Sequence, residues 1–325
     1  MSNKIQRIKS VYGVKSFEDA AATAASYTDA GGVILARNLE HVSTEIFTQE
    51  FPELTLLSQG GVEVNNEGSG ATSVLKVKMA INGDFAEIGD NTDGTGKVSL
   101  SGEDDSIPVW AKQASSEWSE MELLRADRQG INLPNRFLAA HSELYNRQID
   151  SIGYVGQLKS DGSTRAEGLL NFSGFTSTAA SGTAASLNGD QLYQEIADFI
   201  TDQWNSVLNV ETYKADRVVL PTGAYNTMTK KVFNSAGSAM TVRAALEANF
   251  PEVTFITTSK ANDVGGNTVA VAYSSNRRAM QLRIPDPLMV SNVWNLGSKY
   301  GVESFFGIAG LDVIENASGR ILTGL

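Results

Sequence analysis

An α+β fold with a discontinuous main domain is predicted for this 325-residue chain by three observations. Residues 74–81 alternate imperfectly between apolar and polar side chains and run into a turn-rich segment, the pattern of a long β-hairpin. Residues 133–155 carry apolar side chains at spacings of three and four, the pattern of a long amphipathic helix. Residues 169–289 alternate helix-like and strand-like stretches, and strand-like sequence returns over 290–325. An α/β unit is therefore expected to be inserted into a domain that begins before it and closes after it.

The leading segment, residues 1–57, reads as an arm. Residues 17–27 are Ala-rich and helix-prone, with Ser16 placed as an N-cap, and Gly31-Gly32 breaks the pattern. A second short helix is expected over residues 33–47. It ends at Phe51-Pro52, because the residue before a proline is pushed into an extended conformation. No sustained apolar stripe runs through this segment, so it has to pack on the main body or on another copy.

In the hairpin, Val74, Leu75, Val77, Met79 and Ile81 are interleaved with Lys76 and Lys78. Residues 98–100 and 107–110 offer partners. The tip, NGDFAEIGDNTDGTGK over residues 82–97, is rich in Gly, Asn and Asp, which supply turns and tolerate positive φ. An isolated two-stranded hairpin is marginally stable in water, which makes a long one a candidate for support from a neighbouring subunit.

The long helix has Pro134 in its first turn, where a missing N–H costs nothing. Leu138, His141, Tyr145, Ile149 and Ile152 form its apolar face, widened by Phe137, Leu144 and Val155. Arg136, Glu143, Asn146, Arg147 and Asp150 are expected on the polar side. Residues 173–187 read as a Ser/Thr/Ala/Gly loop. Helices are expected at 190–205, 222–234 and 241–250, with strands at 217–220, 253–258, 268–273 and 280–284. The closing strands at 290–296, 302–308, 311–315 and 320–322 are expected to join the sheet beside the long helix.

Composition excludes several classes of function. With no Cys, the chain has no thiol nucleophile, Cys-bound zinc, iron–sulfur cluster or disulfide. A net charge of −11 argues against nucleic-acid binding as the main task. The first fifteen residues nevertheless hold Lys4, Arg7, Lys9 and Lys15 and no acid, a basic tip able to touch an acidic neighbour or nucleic acid. No secretory signal and no membrane-length apolar run are present, so folding in a cytoplasm is expected.

No catalytic or cofactor constellation emerges. The two histidines, His41 and His141, lie far apart in the sequence. His141 has apolar neighbours on its helix face and reads as a buried, hydrogen-bonded residue, and His41 as an exposed one beside Glu40. The acids of the hairpin tip, Asp84, Glu87, Asp90 and Asp93, lack the twelfth-position Glu of a calcium loop. Gly94-Thr95-Gly96-Lys97 lacks the earlier glycine of a phosphate-binding loop. No cofactor and no metal are expected.

Three stretches carry a resemblance: LARNLEHVSTEIFTQEFPELTLL (residues 35–57), WSEMELLRADRQGINLPNRFLAAHSELYNRQIDSIGYVG (118–156) and EGLLN (167–171). Together with the order arm, hairpin, long helix, inserted α/β unit and returning strands, the chain resembles the major capsid proteins of tailed bacteriophages with the Hong Kong 97-type fold. The resemblance implies an N-terminal arm (1–57) and an extended loop lying over an adjacent subunit (58–113). It implies a peripheral domain with a spine helix (114–168 and 290–325) and an axial domain meeting its copies around five-fold and six-fold axes (169–289).

The implied function is self-assembly into hexamers and pentamers of an icosahedral head around double-stranded DNA. The implied intersubunit contacts are Asp84, Phe85, Glu87, Asp90 and Lys97 at the hairpin tip, and Lys4, Arg7, Lys9 and Lys15 in the arm. Identical subunits, a portal protein, a decoration or scaffolding protein and weakly held DNA are the implied partners, with no membrane. Some members of that fold crosslink a Lys to an Asn. Lys97 lies near the tip, but its required partners have no match here and that chemistry is not carried over. Two rival readings share part of the pattern: a nanocompartment shell enclosing cargo enzymes, and a bacterial surface-layer or adhesive protein, which would need an export signal.

Overall fold

The computed structural model of the protein describes residues 54–85, 97–128, 130–208, 210–233 and 240–325. The two helices expected in the arm and most of the hairpin tip lie outside those residues.

The long helix Leu133–Val155 occupies the expected residues. Asn132 caps it, its side chain accepting from the Asn135 N–H at 3.2 Å, and Pro134 sits in the first turn. It stops at Gly156, whose φ of 81° favours glycine and where a Cβ would lie 2.2 Å from the Ala166 carbonyl oxygen.

Beneath the helix lies a four-stranded sheet. Trp110–Ser119 runs antiparallel along Lys299–Ile308, from Ser119 opposite Lys299 to Trp110 opposite Ile308. Asp286–Val290 and Trp294–Leu296 pair with other parts of the same long strand. Tyr145 meets Phe306 edge-on with centroids 4.9 Å apart, and Phe137 stacks on Trp118 at 5.2 Å. These contacts seat the helix on the sheet.

The inserted unit is built on a five-stranded sheet in the order Thr254–Thr258, Arg217–Pro221, Val269–Tyr273, Gly319–Thr323, Thr176–Ala179. The helices Gly189–Ser206, Thr222–Lys230 and Val242–Asn249 cover one face. Period-two alternation divides the strands between two cores. Val219, Val271, Tyr273 and Ile321 join the core that holds Leu56, Ile149, Ile152 and Tyr154. Val218, Leu220, Ala270, Ala272 and Leu322 join the core that holds Leu192, Ile196, Ile200 and Leu246.

Five expectations are corrected. The closing strand Gly319–Thr323 leaves the sheet beside the long helix and pairs with Val269–Tyr273, because Ile321 and Leu322 point to opposite faces and each needs a core. The Ser/Thr loop contains a strand, Thr176–Ala179, recruited in parallel by that closing strand. Met280–Arg283, expected in the inserted unit, and Gly310–Val313, expected in the sheet beside the long helix, instead pair with each other, and with Val64–Asn65 form a separate three-stranded sheet. The helix expected over 222–234 ends at Lys230. There Lys231 turns extended, and its ammonium donates to the carbonyls of Ala184, Ala185 and Leu187. Val232–Phe233 then pairs with Met240–Thr241.

The hairpin is an unbroken ladder of Ser73–Gly83 with Val98–Pro108, from Ser73 opposite Pro108 to Gly83 opposite Val98. It is narrower than the expected 58–113. Val62 and Asn65 are buried in the body, and Trp110 already belongs to the sheet under the long helix.

Candidate assembly interface

The two faces of the hairpin differ. Side chains two apart on a strand share a face, so Leu75, Val77, Met79 and Ile81 lie together, with Leu100 opposite Ile81 and Val98 opposite Gly83. These six apolar side chains are between 51% and 77% exposed. Full burial of such a side chain is worth about 1.5–3 kcal/mol, so an uncovered row of six is a large unused driving force before association costs are subtracted. The other face carries Lys76 and Lys78, and both reach the body. The Lys76 ammonium donates to Asp312 Oδ1 at 3.1 Å and to the Val313 carbonyl at 2.6 Å. Lys78 donates to Glu315 Oε2 at 2.8 Å.

Asp312 is buried, and its other oxygen accepts from Arg283 Nε at 2.7 Å and Gln281 Nε2 at 3.3 Å. Asn65 extends the network by donating to Gln281 Oε1 at 2.9 Å. A buried carboxylate with this set of donors is an immobile anchor.

Where the leading segment enters the body, the helix Thr55–Ser58 presses Leu56 onto the long helix. Gly153 makes the room, since a Cβ there would lie 2.0 Å from Leu56 Cδ2. The Leu56 N–H donates to Asp150 Oδ1 at 3.0 Å, and Thr55 Oγ1 meets the Tyr154 hydroxyl at 2.8 Å. Lys260 closes the other oxygen of Asp150. Asp150 is thus buried, not on the polar side where helical spacing placed it. Burial pushes the Tyr154 hydroxyl up to about 12, with the Asp150 charge adding to the rise against the Thr55 hydrogen bond. Burial also raises Tyr273, whose hydroxyl donates to the Gly60 carbonyl at 2.8 Å, well above the ordinary tyrosine value. Both tyrosines act as neutral, hydrogen-bonded posts.

The outer part of the long helix and the short helix Glu120–Arg128 add further apolar surface. Met121, Leu124, Leu138 and Leu144 are exposed, and the short helix buries none of its residues. A groove of about 340 Å³ between the long helix and its sheet is lined by Lys112, His141, Leu144, Tyr145, Leu288 and Phe306 among others. Burial, helped by nearby Arg165, lowers the Lys112 pKa, and its ammonium donates to Gln148 at 2.8 Å and Gln157 at 2.6 Å. His141 is buried between Ser116 at 2.7 Å and Ser304 at 2.5 Å, a structural clip as its sequence setting suggests. Among the described residues no group of three His, Cys, Asp or Glu is placed to hold a metal, and no helix is long and apolar enough to cross a membrane.

Of the residues singled out from sequence, Asp84, Phe85 and Lys97 stand exposed at the far end of the ladder, Phe85 at 93%. Glu87 and Asp90 in the tip, and Lys4, Arg7, Lys9 and Lys15 in the arm, lie outside the described residues. Sequence reasoning missed the apolar face behind the tip. The signal was there: aliphatic side chains at odd positions and lysines at even ones, opposite a second strand too polar to supply a core.

The comparisons agree with this geometry. A family model described as major capsid protein matches residues 84–324. The capsid protein of Myoviridae phage XM1 is 61% identical, with a TM-score of 0.81, over 91% of this chain and 100% of that one. The capsid of a native GTA particle, 14% identical, superposes with a TM-score of 0.64 over 91% of this chain and 98% of that one. A Mycobacterium phage Ogopogo chain, 8% identical, gives 0.57 over 89% and 98%. The last two, at such low identity, show the fold alone. No curated protein sequence matches the chain. The chain belongs to the major capsid protein family of tailed bacteriophages, with the Hong Kong 97-type fold its sequence resembles, and is a structural component of the virion, not an enzyme.

Proposed function

We propose that copies of this chain join into hexamers and pentamers of a closed icosahedral head, and that the hairpin is the clasp between neighbours. The observation that carries this reading is the row Leu75, Val77, Met79, Ile81, Val98 and Leu100, turned away from the chain's own body. A neighbour's surface is the economical cover for a row this long, since large exposed apolar patches mark association sites. Rings of one chain repeat a single heterologous contact around an axis. In this reading residues 1–57 supply the arm, the 73–108 ladder within 58–113 the extended loop, 114–168 with most of 290–325 the peripheral domain, and most of 169–289 with the closing strand Gly319–Thr323 the axial domain.

Asp84, Phe85, Glu87, Asp90 and Lys97 then make the outermost intersubunit contacts, and Lys4, Arg7, Lys9 and Lys15 those of the arm. The head encloses double-stranded DNA, and the net charge of −11 keeps the wall from adhering tightly to it. A portal protein, and a scaffolding or decoration protein, complete the set of partners, and assembly takes place in the host cytoplasm. The test is assembly of purified protein followed by sedimentation and electron microscopy. Wild type is expected to give polyhedral shells or rings, and Met79→Asp with Ile81→Asp to give folded, unassembled subunits. Normal shells from that double variant would overturn the clasp.

A further inference from the structure

We propose that Lys76 and Lys78 are positioning residues: their bonds to the body set the angle at which the hairpin leaves it, and so decide whether the apolar row meets a neighbour. This rests on the clasp reading above. An eleven-residue strand at ~3.3 Å per residue is a lever of roughly 35 Å, and a tilt of about 10° at its base moves the far end by roughly 6 Å. Apolar surfaces lose contact over about 1 Å, so an unrestrained ribbon would spread its far end over many useless positions. The apolar row cannot supply the restraint, because it faces away from the body.

The lysines can. They lie on one face, two residues apart, about 10 Å and 17 Å along the strand from Ser73 at the same rise. Two attachment points at different heights define an angle where one would define a pivot. The inner partner is rigid, since Arg283 and Gln281 hold Asp312 from the side opposite Lys76. Lys76 also fixes its height by bonding the Val313 backbone carbonyl. The outer partner, Glu315, follows on the same segment. Between hairpin and body lies a polar cleft of about 260 Å³, whose walls include Lys76, Lys78, Asp104, Asp105 and Glu315. Among the described residues no apolar side chain of the hairpin lines it, so charge-assisted bonds hold the ribbon across this gap.

The Lys78–Glu315 pair is partly exposed on both sides and therefore tolerates exchange. Assembly yield and the melting temperature of the dissociated subunit are measured for Lys78→Glu, Glu315→Lys, the double exchange and Lys76→Met, with Met79→Asp as control. Lys78→Glu and Glu315→Lys are each expected to lower the assembled fraction at least about fivefold, the effect of an ion pair near the top of its range, without moving the subunit's melting temperature, whereas Lys76→Met, which takes one cation from the buried Asp312, is expected to lower both. The double exchange is expected to return assembly to near wild type. A bond that merely stabilised the body would lower the melting temperature and leave assembly of the surviving subunits intact. The positioning role is overturned if Met79→Asp blocks assembly while the lysine variants assemble normally, or if the exchange fails to restore what Lys78→Glu removes. Normal assembly of Met79→Asp itself overturns the clasp reading, and this inference with it.

Discussion

Two strands of this chain alternate their side chains in the same way and meet opposite fates. In Val269–Tyr273 the Val and Tyr side chains enter one core and the alanines enter the other, so every residue is buried. In Ser73–Gly83 one face holds lysines bonded to the body and the other holds Leu75, Val77, Met79 and Ile81 in the open. Alternation specifies that a strand has two faces and says nothing about what covers them. The first strand is stabilised by its own chain. The second has a backbone ladder and two ionic ties, and leaves its apolar area for a copy.

The sharpest way to break this contrast is to place the same charge in both strands. Val271→Asp buries an unpaired carboxylate where no solvent reaches, and more than about 4 kcal/mol of subunit stability is expected to be lost in a denaturant titration. Leu56→Ala comes next. The fully buried side chain sits in the space left by Gly153, and its loss is expected to cost about 2–5 kcal/mol, read from the same titration, while leaving the hairpin ladder unchanged.

The third effect is set by pH. Tyr154 is neutral in the folded body with its pKa raised from 10.0 to about 12, so its contribution is complete below the unfolded value and is lost as pH rises through the folded one. Two pKa units correspond to about 3 kcal/mol. Wild type is expected to lose at least that much as pH rises from 10 to 12, since the Tyr273 pKa is raised as well, and Tyr154→Phe to flatten this part of the profile by about Tyr154's own share, as followed by unfolding at each pH. The smallest effect on folding belongs to Met79→Asp. Its position is already in water, and subunit stability is expected to stay within about 0.5 kcal/mol of wild type. Measured side by side, a subunit as stable as wild type that no longer assembles would separate the two strands completely.

The parts of the fold that were legible in advance are those with local signals. The long helix was readable because its apolar spacing is regular and Pro134 marks its first turn, while the Asn132 cap and the positive φ of Gly156 came with the coordinates. The hairpin was readable because alternating residues flank a stretch rich in Gly, Asn and Asp. Asp150 was misread because helical spacing put it among polar residues. The Leu56 N–H and Lys260 that satisfy it come from far along the chain. Thr176–Ala179 has two strand-favouring threonines but no apolar alternation to mark it within a Ser/Thr/Ala/Gly stretch, and it pairs because Gly319–Thr323 offers it an edge. Of the candidate interface, Asp84, Phe85 and Lys97 at the end of the ladder were singled out in advance and are exposed, and the apolar row behind them was not, because an uncovered strand and a half-buried one read alike.

Helix ends, strand alternation and turn positions were written into residues a few places apart, because backbone geometry, capping and side-chain period act over one or two turns of chain. The absence of cysteine and the acidic balance likewise needed no coordinates. Which sheet each strand entered, which acids were buried with which lysines, and which apolar row was left uncovered depended on segments meeting from opposite ends of the sequence. Such contacts carry no short-range code, since each is chosen by the volume and charge that every other segment leaves behind.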